Sequence, residues 1–289
     1  MVTARHGRQG NMTYGADTEG ERSTQSPKTA IIHIRGIYIG LMLLAPSYAH
    51  ADINCLQECP IGSPAHNTLL SRPTHTLSNN PETKFSDWVA YRVNPKNFGR
   101  GQRRNWQRDP DLAEDSTLAP ADYKGIGTNL RADRGHQAPL ASFSANAEWY
   151  KTNYLSNITP QYKQLNRGPW KHLEDAERKF AMNNKKIALY VVTGPLYERH
   201  MPPLPNAKKP HRVPSGYWKF IGFQEGTQVS WASFVFDQRT KSSGRYCDHL
   251  ESLKSLEQRA GLSVLSVDVP DHMRRLPSTT DLAKGLGCK

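Results

Sequence analysis

The chain has 289 residues, which is enough for one large domain or two small ones. Hydrophobic residues make up 37% of it and the mean hydropathy is -0.69, a profile typical of a soluble globular protein rather than one held stably in a membrane. Lys and Arg number 38 against 26 Asp and Glu, and this net charge of +12 favours a polyanionic partner: nucleic acid first, with anionic membranes and acidic polysaccharides as alternatives.

Residues 1–51 have the layout of a leader followed by a secretory signal peptide. An apolar run at Gly36–Ala45 follows basic residues, and an Ala-His-Ala sequence ending at Ala51 predicts cleavage after that residue. The run is too short to span a bilayer, which needs about 20 apolar residues. The predicted mature domain, residues 52–289, keeps 33 Lys and Arg against 23 Asp and Glu, a net charge of +10.

A mitochondrial presequence is the alternative interpretation of the N-terminus. The first 27 residues are polar and contain three arginines, which is unusual for a signal peptide. They also contain Asp17, Glu19 and Glu21, and transit peptides are poor in acids. Export is therefore the favoured prediction.

Four cysteines support the same interpretation, since an even number in an exported chain indicates disulfides. Four cysteines allow three pairings. Cys55–Cys59 would close a very small loop, and Cys247–Cys288 would hold the C-terminus in place. A zinc site is the alternative, but the chain has no Cys-x-x-Cys pair.

The first half of the predicted mature domain alternates between irregular and regular segments. Residues 60–83 are rich in Pro, Ser, Thr and Asn and predict irregular surface chain. Phe85–Val93 mixes aromatic and β-branched residues and predicts a strand, whereas Asn94–Asp122 predicts a long loop. Apolar residues at helical spacing predict a helix over Lys171–Asn183.

The second half adds strands and one more helix. Lys186–Thr193 predicts a buried strand that stops at Gly194-Pro195. Tyr217–Phe223 and Val229–Phe236 predict two strands joined by a turn, and Asp248–Ala260 predicts an amphipathic helix ended by glycine. Because the elements follow no βαβ order and no repeat or domain linker stands out, the pattern indicates a single α+β domain.

The segment from Arg131 to Asp175 contains the residue types of a metal-assisted phosphodiesterase. An Asp-Arg-Gly-His sequence ends at His136, and an imidazole accepts a proton near neutral pH. Amides, whose oxygens suit Mg²⁺ as hard neutral ligands, follow at Asn153, Asn157, Gln161, Gln164 and Asn166. Glu174 lies on the predicted helix. Taken singly, each residue also has an ordinary structural explanation as a surface histidine, a turn amide or a solvated acid.

An ordered set of segments resembles the DNA/RNA non-specific endonucleases, a family with a ββα-metal active site. The similarity runs from about Asp52 to Cys288. The resemblance implies a central antiparallel β-sheet with flanking helices and a ββα-metal unit, with His136 at a strand end and Asn166 near the start of the helix from about Gly168. The resembling segments are Arg104-Asn105-Trp106, Leu118–Tyr123, Asp133–Pro139, Thr152–Gln161 and Leu173-Glu174-Asp175.

The resemblance also implies a role for each matched residue. His136 stands at the position of the general base, and Asn166 at that of the sole direct protein ligand of Mg²⁺. Glu174 matches the acid that orients the water around the metal, and Arg104 matches the arginine that neutralises the phosphate. The other matches are residues that flank the base or position the site and substrate: Asp133, Arg134, Asn153 and Asn157.

The function implied is that of a secreted, Mg²⁺-dependent endonuclease that cuts DNA and RNA to 5′-phosphorylated oligonucleotides, in a family that forms homodimers. Two alternatives stay open. An organellar nuclease of the endonuclease G type would have a mitochondrial presequence and little use for disulfides. A basic protein that only binds nucleic acid would not need these residues in family order and would not respond to EDTA.

Overall fold

A seven-stranded antiparallel sheet forms the centre of the protein, with strand order β1-β2-β3-β6-β7-β8-β9, and β4 and β5 form a separate antiparallel pair. The structure is a computed structural model that describes residues 52–266, 269–276 and 281–289, so the predicted leader and signal peptide lie outside the described residues. The strands are β1 Thr68–Ser71, β2 Thr76–Asn80, β3 Phe85–Val93, β4 Ala132–His136, β5 Ile158–Tyr162, β6 Leu189–Leu196, β7 Gly216–Glu225, β8 Gln228–Asp237 and β9 Leu250–Glu251.

Helices cover both faces of this sheet. Val89 and Tyr91 of β3 belong to one apolar cluster with α3 and α6, whereas their neighbours Trp88 and Ala90 belong to a second cluster with α4. This is the alternation of period two expected of a strand buried on both sides. The predicted α+β fold with flanking helices is therefore confirmed. The helices are α1 Ile126–Asn129, α2 Lys163–Leu165, α3 Lys171–Asn183, α4 Leu253–Ala260, α5 Asp271–Arg275 and α6 Asp281–Gly285.

The prediction of irregular surface chain over residues 60–83 was wrong, because β1 and β2 lie there and every residue of β2 is buried. The polar side chains of β2 are satisfied by distant partners. Thr76 accepts a hydrogen bond from Asn54, and Asn79 donates one to the Ser116 carbonyl. A segment without apolar periodicity is thus buried through its hydrogen bonds.

Element boundaries agree with the sequence in some places and differ in others. The strand at Phe85–Val93 and the helix at Lys171–Asn183 have the predicted bounds. β6 was predicted to stop at Gly194 but continues through Pro195, because only β7 pairs with the strand at that end and the missing proline N–H costs no bond to β3.

The last predicted helix begins later than expected. Ser252 caps α4, its Oγ accepting the Ser255 N–H at 3.1 Å, so the helix starts at Leu253. The preceding residues form a short 3₁₀ turn at Tyr246–His249 and then β9. Gly261 ends α4 with φ +69°, as predicted.

β4 and β5, followed by a helix kinked at Gly168, form the ββα unit. Gly135 pairs with Thr159 of β5, and Gln161, two residues further along β5, lies so close that a Cβ at Gly135 would be 2.7 Å from the Gln161 Cβ. A Cβ at Gly168 would lie 2.7 Å from the Ser242 Cα. Both glycines are therefore required by close contact. They hold His136, at the end of β4, next to the helix that carries Asn166.

Two disulfides, Cys55–Cys59 and Cys247–Cys288, link the four cysteines as the sequence indicated. The second joins residues 41 positions apart and, by the chain-entropy argument, stabilises the fold by about 4 kcal/mol. In the part of the chain that the structure describes, no helix is long and apolar enough to cross a membrane.

Candidate active site

His136 lies at the end of β4 against a buried amide and an indole ring. Its Nε2 is 3.1 Å from Asn153 Oδ1, and its ring centroid is 5.3 Å from that of Trp106. An amide oxygen only accepts, so Nε2 carries the proton and Nδ1 is the basic nitrogen. Burial lowers the pKa of His136 to about 4, an effect that Asn153 opposes and the charge of Arg104 reinforces. The imidazole is therefore neutral at pH 7.

Asn166 is oriented by Asp133. Its Nδ2 donates to Asp133 Oδ2 at 3.0 Å, while Arg167 forms a bidentate pair with the same carboxylate at 2.8 and 2.7 Å. Burial alone would raise the pKa of Asp133, but these hydrogen bonds outweigh it and hold the pKa below its usual value. Within residues 52–266 and the two described C-terminal segments, no group donates to Asn166 Oδ1, which is left available to a cation.

Glu174 lies in the first turn of α3, and no residue of the described ranges makes a hydrogen bond or ion pair with it. Burial raises the pKa of Glu174 to about 7, and the positive charge of Lys219 partly opposes this. A half-buried carboxylate without a partner is unfavourable by itself. It becomes favourable when a cation or its hydration shell occupies the space beside it.

These groups line one cleft of about 600 Å³. The cleft brings together the predicted residues Arg104, Asp133, Arg134, His136, Asn166 and Glu174. Arg104 comes from the long loop and is exposed. Arg134 is held over the rings of Trp106 and Tyr123, at 5.7 and 5.4 Å from their centroids.

The two predicted positioning amides lie behind the cleft wall. Asn153 and Asn157 are both fully buried. Asn153 contacts His136, whereas Asn157 accepts the Ala138 N–H at 2.8 Å and donates to the Ala138 and Thr152 carbonyls. Asn157 thus fixes the chain that follows the histidine and does not face the cleft.

Other cleft residues were not identified from the sequence. Arg178 lines the cleft one helical turn after Glu174, where its guanidinium is held by Asp175 and by Ser142 Oγ. The spacing of four residues from Glu174 was the available signal. The positions of Trp106, Lys163 and Arg167 beside the site depend on tertiary packing, which the sequence pattern does not reveal.

The donor set fits a hard cation held by few protein ligands. Among the described residues, one group of three His, Cys, Asp or Glu has ligand atoms close enough to share a metal, namely Asp52, Cys55 and Cys59. Both of its sulfurs are bonded in a disulfide. The cleft instead offers an amide oxygen and a nearby carboxylate, which leaves most coordination positions to water, as Mg²⁺ prefers.

Comparison with known proteins identifies the family. The DNA/RNA non-specific endonuclease family matches residues 57–270. The nuclease of Serratia marcescens is 43% identical over 256 residues, covering 86% of this chain and 95% of that protein. Mitochondrial endonuclease G of Bos taurus is 27% identical over 242 residues, covering 78% and 76%. The solved EndoG/EndoGI complex shares the fold, with a TM-score of 0.59 at 22% identity over 70% of this chain and 86% of that chain. The chain therefore belongs to the DNA/RNA non-specific endonucleases and is an enzyme of the nuclease class.

Proposed function

We propose that this protein is a secreted, Mg²⁺-dependent endonuclease that hydrolyses both DNA and RNA to oligonucleotides with 5′-phosphates and 3′-hydroxyls. The observation that carries the proposal is the arrangement of one cleft. It combines the neutral His136 with several cations. It also contains two groups without hydrogen-bond partners in the described ranges, the Asn166 amide oxygen and the Glu174 carboxylate. A protein that only binds nucleic acid needs the cations but not the other three groups.

His136 is the proposed general base. Its neutral Nδ1 takes a proton from the water that attacks the scissile phosphorus, while Asn153 holds Nε2 and keeps the ring in the required tautomer. Arg104 stabilises the negative charge that develops on the phosphoryl oxygens, a contribution of roughly 3 kcal/mol for a donor of this kind. Arg134 adds positive charge beside the histidine.

Asn166 Oδ1 is the proposed ligand of Mg²⁺, and Glu174 orients the water around the ion. When bound, the ion supplies Lewis acidity at the phosphate and its leaving oxygen. Asp133 holds Asn166 by its amide nitrogen and so presents the oxygen. The available donors fit this role because they are hard oxygens.

The lack of base selectivity follows from what the cleft offers. Its polar lining is dominated by cations, and contacts to phosphate carry no sequence information. The net charge of +10 on residues 52–289 supplies attraction to either polymer.

The deciding experiment measures degradation of plasmid DNA and of RNA by the purified protein with Mg²⁺ and with excess EDTA. Wild type should degrade both only with the metal, and His136→Ala should lose activity while its thermal midpoint stays unchanged. His200→Ala removes an exposed histidine and is the matched control. If His136→Ala keeps more than a few per cent of wild-type activity, His136 is not the base. If neither polymer is cut but both are retarded on a gel, the protein is a binder.

Export is proposed from the predicted signal peptide and the two disulfides, which persist in oxidising compartments. N-terminal sequencing of protein collected outside the cytoplasm of the producing cell should begin at Asp52. A mature N-terminus generated by mitochondrial processing would support the organellar alternative.

The proposed homodimer is tested by sedimentation, in which a purely monomeric species at micromolar concentration would contradict it.

A further inference from the structure

A second groove lies next to the catalytic cleft, beside the β4–β5 pair. The cleft and the groove share Gly127 and Lys163 in their walls. The groove has a volume of about 770 Å³, against about 600 Å³ for the cleft, and no Asp or Glu lines it. A ligand with phosphates in both spaces would therefore meet cations along its path and no opposing carboxylate in the groove.

Arg131 stands in this groove with a strained backbone. Its φ is +51°, a region that glycine adopts freely and other residues rarely occupy. Its carbonyl accepts the Lys163 N–H at 2.9 Å, which fixes the backbone directly before β4. The side chain is exposed, and within the described chain its guanidinium has no hydrogen bond or ion pair. An arginine kept in a conformation suited to glycine, without an internal partner, indicates a role for its side chain.

The floor of the groove is rigid. The Tyr162 N–H donates to Gln238 Oε1 at 2.8 Å, and Gln238 is fully buried and also donates to the carbonyls of Pro160 and Pro214. These bonds fix the backbone of Tyr162, a residue that lines the groove and also packs against an apolar cluster. Its partly exposed aromatic side chain offers a surface on which a nucleic-acid base stacks.

Lys163 lies at the junction of the two spaces. Its Nζ donates to the Gly127 carbonyl at 2.7 Å, so the ammonium group is held where the cleft meets the groove. Arg239, which is exposed, contributes a further cation to the groove. Together with Arg131 these residues form a track of positive charge beside an aromatic ring, the combination that binds a single nucleic-acid strand without base preference.

We propose that this groove, defined by Arg131, Tyr162, Lys163 and Arg239, binds the nucleotides that flank the scissile phosphate on the strand being cut. Arg131 and Arg239 bind backbone phosphates, and Tyr162 stacks a base. The inference rests on the proposed function in one respect, namely that a phosphodiester occupies the adjoining cleft.

The test measures binding of fluorescently labelled oligothymidylates, three and eight nucleotides long, to the full protein in EDTA. The Arg131→Ala/Arg239→Ala variant should bind the trinucleotide as wild type does. Its affinity for the eight-nucleotide strand should depend less on salt. The slope of log K against log salt should be smaller in magnitude by about 1.4, because each phosphate contact to a single strand contributes about 0.7. Conservative Arg131→Lys/Arg239→Lys should restore most of that slope.

The matched control is Lys185→Ala/Lys186→Ala, which removes the same charge from two exposed residues that line neither space. It should leave the slope unchanged. Arg131→Gly is a second variant, which relieves the backbone strain and removes the side chain. It should fold at least as stably as wild type and still lower the salt slope for the eight-nucleotide strand by about 0.7, the contribution of one phosphate contact.

The outcomes separate the groove from the proposed catalysis. If Arg131→Ala/Arg239→Ala and the control Lys185→Ala/Lys186→Ala lower the slope equally, the groove is overturned even when wild type cuts both polymers. The same holds if Arg131→Ala/Arg239→Ala leaves the slope unchanged. If wild type cuts neither polymer with Mg²⁺ but Arg131→Ala/Arg239→Ala still lowers the salt slope for the eight-nucleotide strand, the groove is supported and the proposed function fails.

Discussion

Two glutamates on α3, one turn apart, lie in opposite surroundings. Glu174 faces the catalytic cleft, and in the described ranges nothing bonds to its carboxylate. Glu177 is completely buried, accepting the Tyr91 hydroxyl at 2.8 Å and the Lys219 Nζ at 2.7 Å. The same side chain on the same helix is thus saturated on the core side and left without a partner on the cleft side. The unsatisfied carboxylate of Glu174 therefore indicates a role in the chemistry of the cleft.

The buried network also supports the cleft. Lys219 Nζ lies 4.4 Å from the ring centroid of Trp170, the residue that precedes α3. The network therefore joins β3, β7 and the start of α3 directly below the site. A helix held in this way presents Glu174 from a rigid element, which a precise metal site requires.

The largest effect should be the loss of stability caused by Glu177→Ala. It leaves the Lys219 ammonium buried without its anion, and breaking a buried pair from one side costs about 3–5 kcal/mol. Urea unfolding should show this loss. Glu225→Ala, at an exposed acid on β7, should change the free energy of unfolding by no more than about 0.5 kcal/mol. Equal losses in the two variants would mean that the buried pair has no special role.

Glu174→Gln should reduce nuclease activity without reducing stability, the reverse of what we expect for Glu177→Ala. Losing the acid beside the metal should reduce nuclease activity about 10- to 100-fold, because groups that orient a metal's surroundings have effects of that size. The free energy of unfolding should not fall, since no protein bond is lost. Steady-state cleavage of plasmid DNA over a range of Mg²⁺ concentrations provides the measurement. Full activity at every Mg²⁺ concentration would remove Glu174 from the site.

The raised pKa of Glu174 predicts a smaller, pH-dependent effect. Burial raises its pKa from 4.5 unfolded to about 7 folded, so the folded state holds the proton more tightly. Glu174 then destabilises the fold progressively as pH rises from about 4.5 to 7, by about 1–3 kcal/mol for this partly exposed group. In EDTA, Glu174→Gln should therefore be more stable than wild type at pH 8 and equal to it at pH 4. An equal difference at both pH values would contradict this.

The elements predicted well from sequence were those whose burial is apolar and local. β3 and α3 have the predicted bounds because their periodicity reports the faces they bury. β2 was missed because its burial depends on hydrogen bonds to residues far along the chain, such as Asn54 and Ser116.

The candidate site shows the same division. The sequence placed His136, Asn166 and Glu174 in one site by resemblance to a family, and the structure gathers them in one cleft. It did not reveal how Asp133 orients Asn166, nor that Trp106 packs on the histidine. These contacts join the long loop, the strand pair and the helix, and such tertiary contacts leave no periodic signal.

Replacing the whole buried network at once should change stability much less than breaking it from one side. Glu177→Met/Lys219→Met/Tyr91→Phe leaves no polar side chain of the network unsatisfied, and exchanging a buried ion pair for apolar residues of similar volume is often neutral. The free energy of unfolding measured in urea should therefore stay within about 1–2 kcal/mol of the wild-type value, in contrast to Glu177→Ala. Activity should also be nearly retained, because the charges of Lys219 and Glu177 act on Glu174 in opposite directions and are removed together. A stable triple variant with strongly reduced activity would show that the network governs the charge of Glu174 in addition to holding α3 in place.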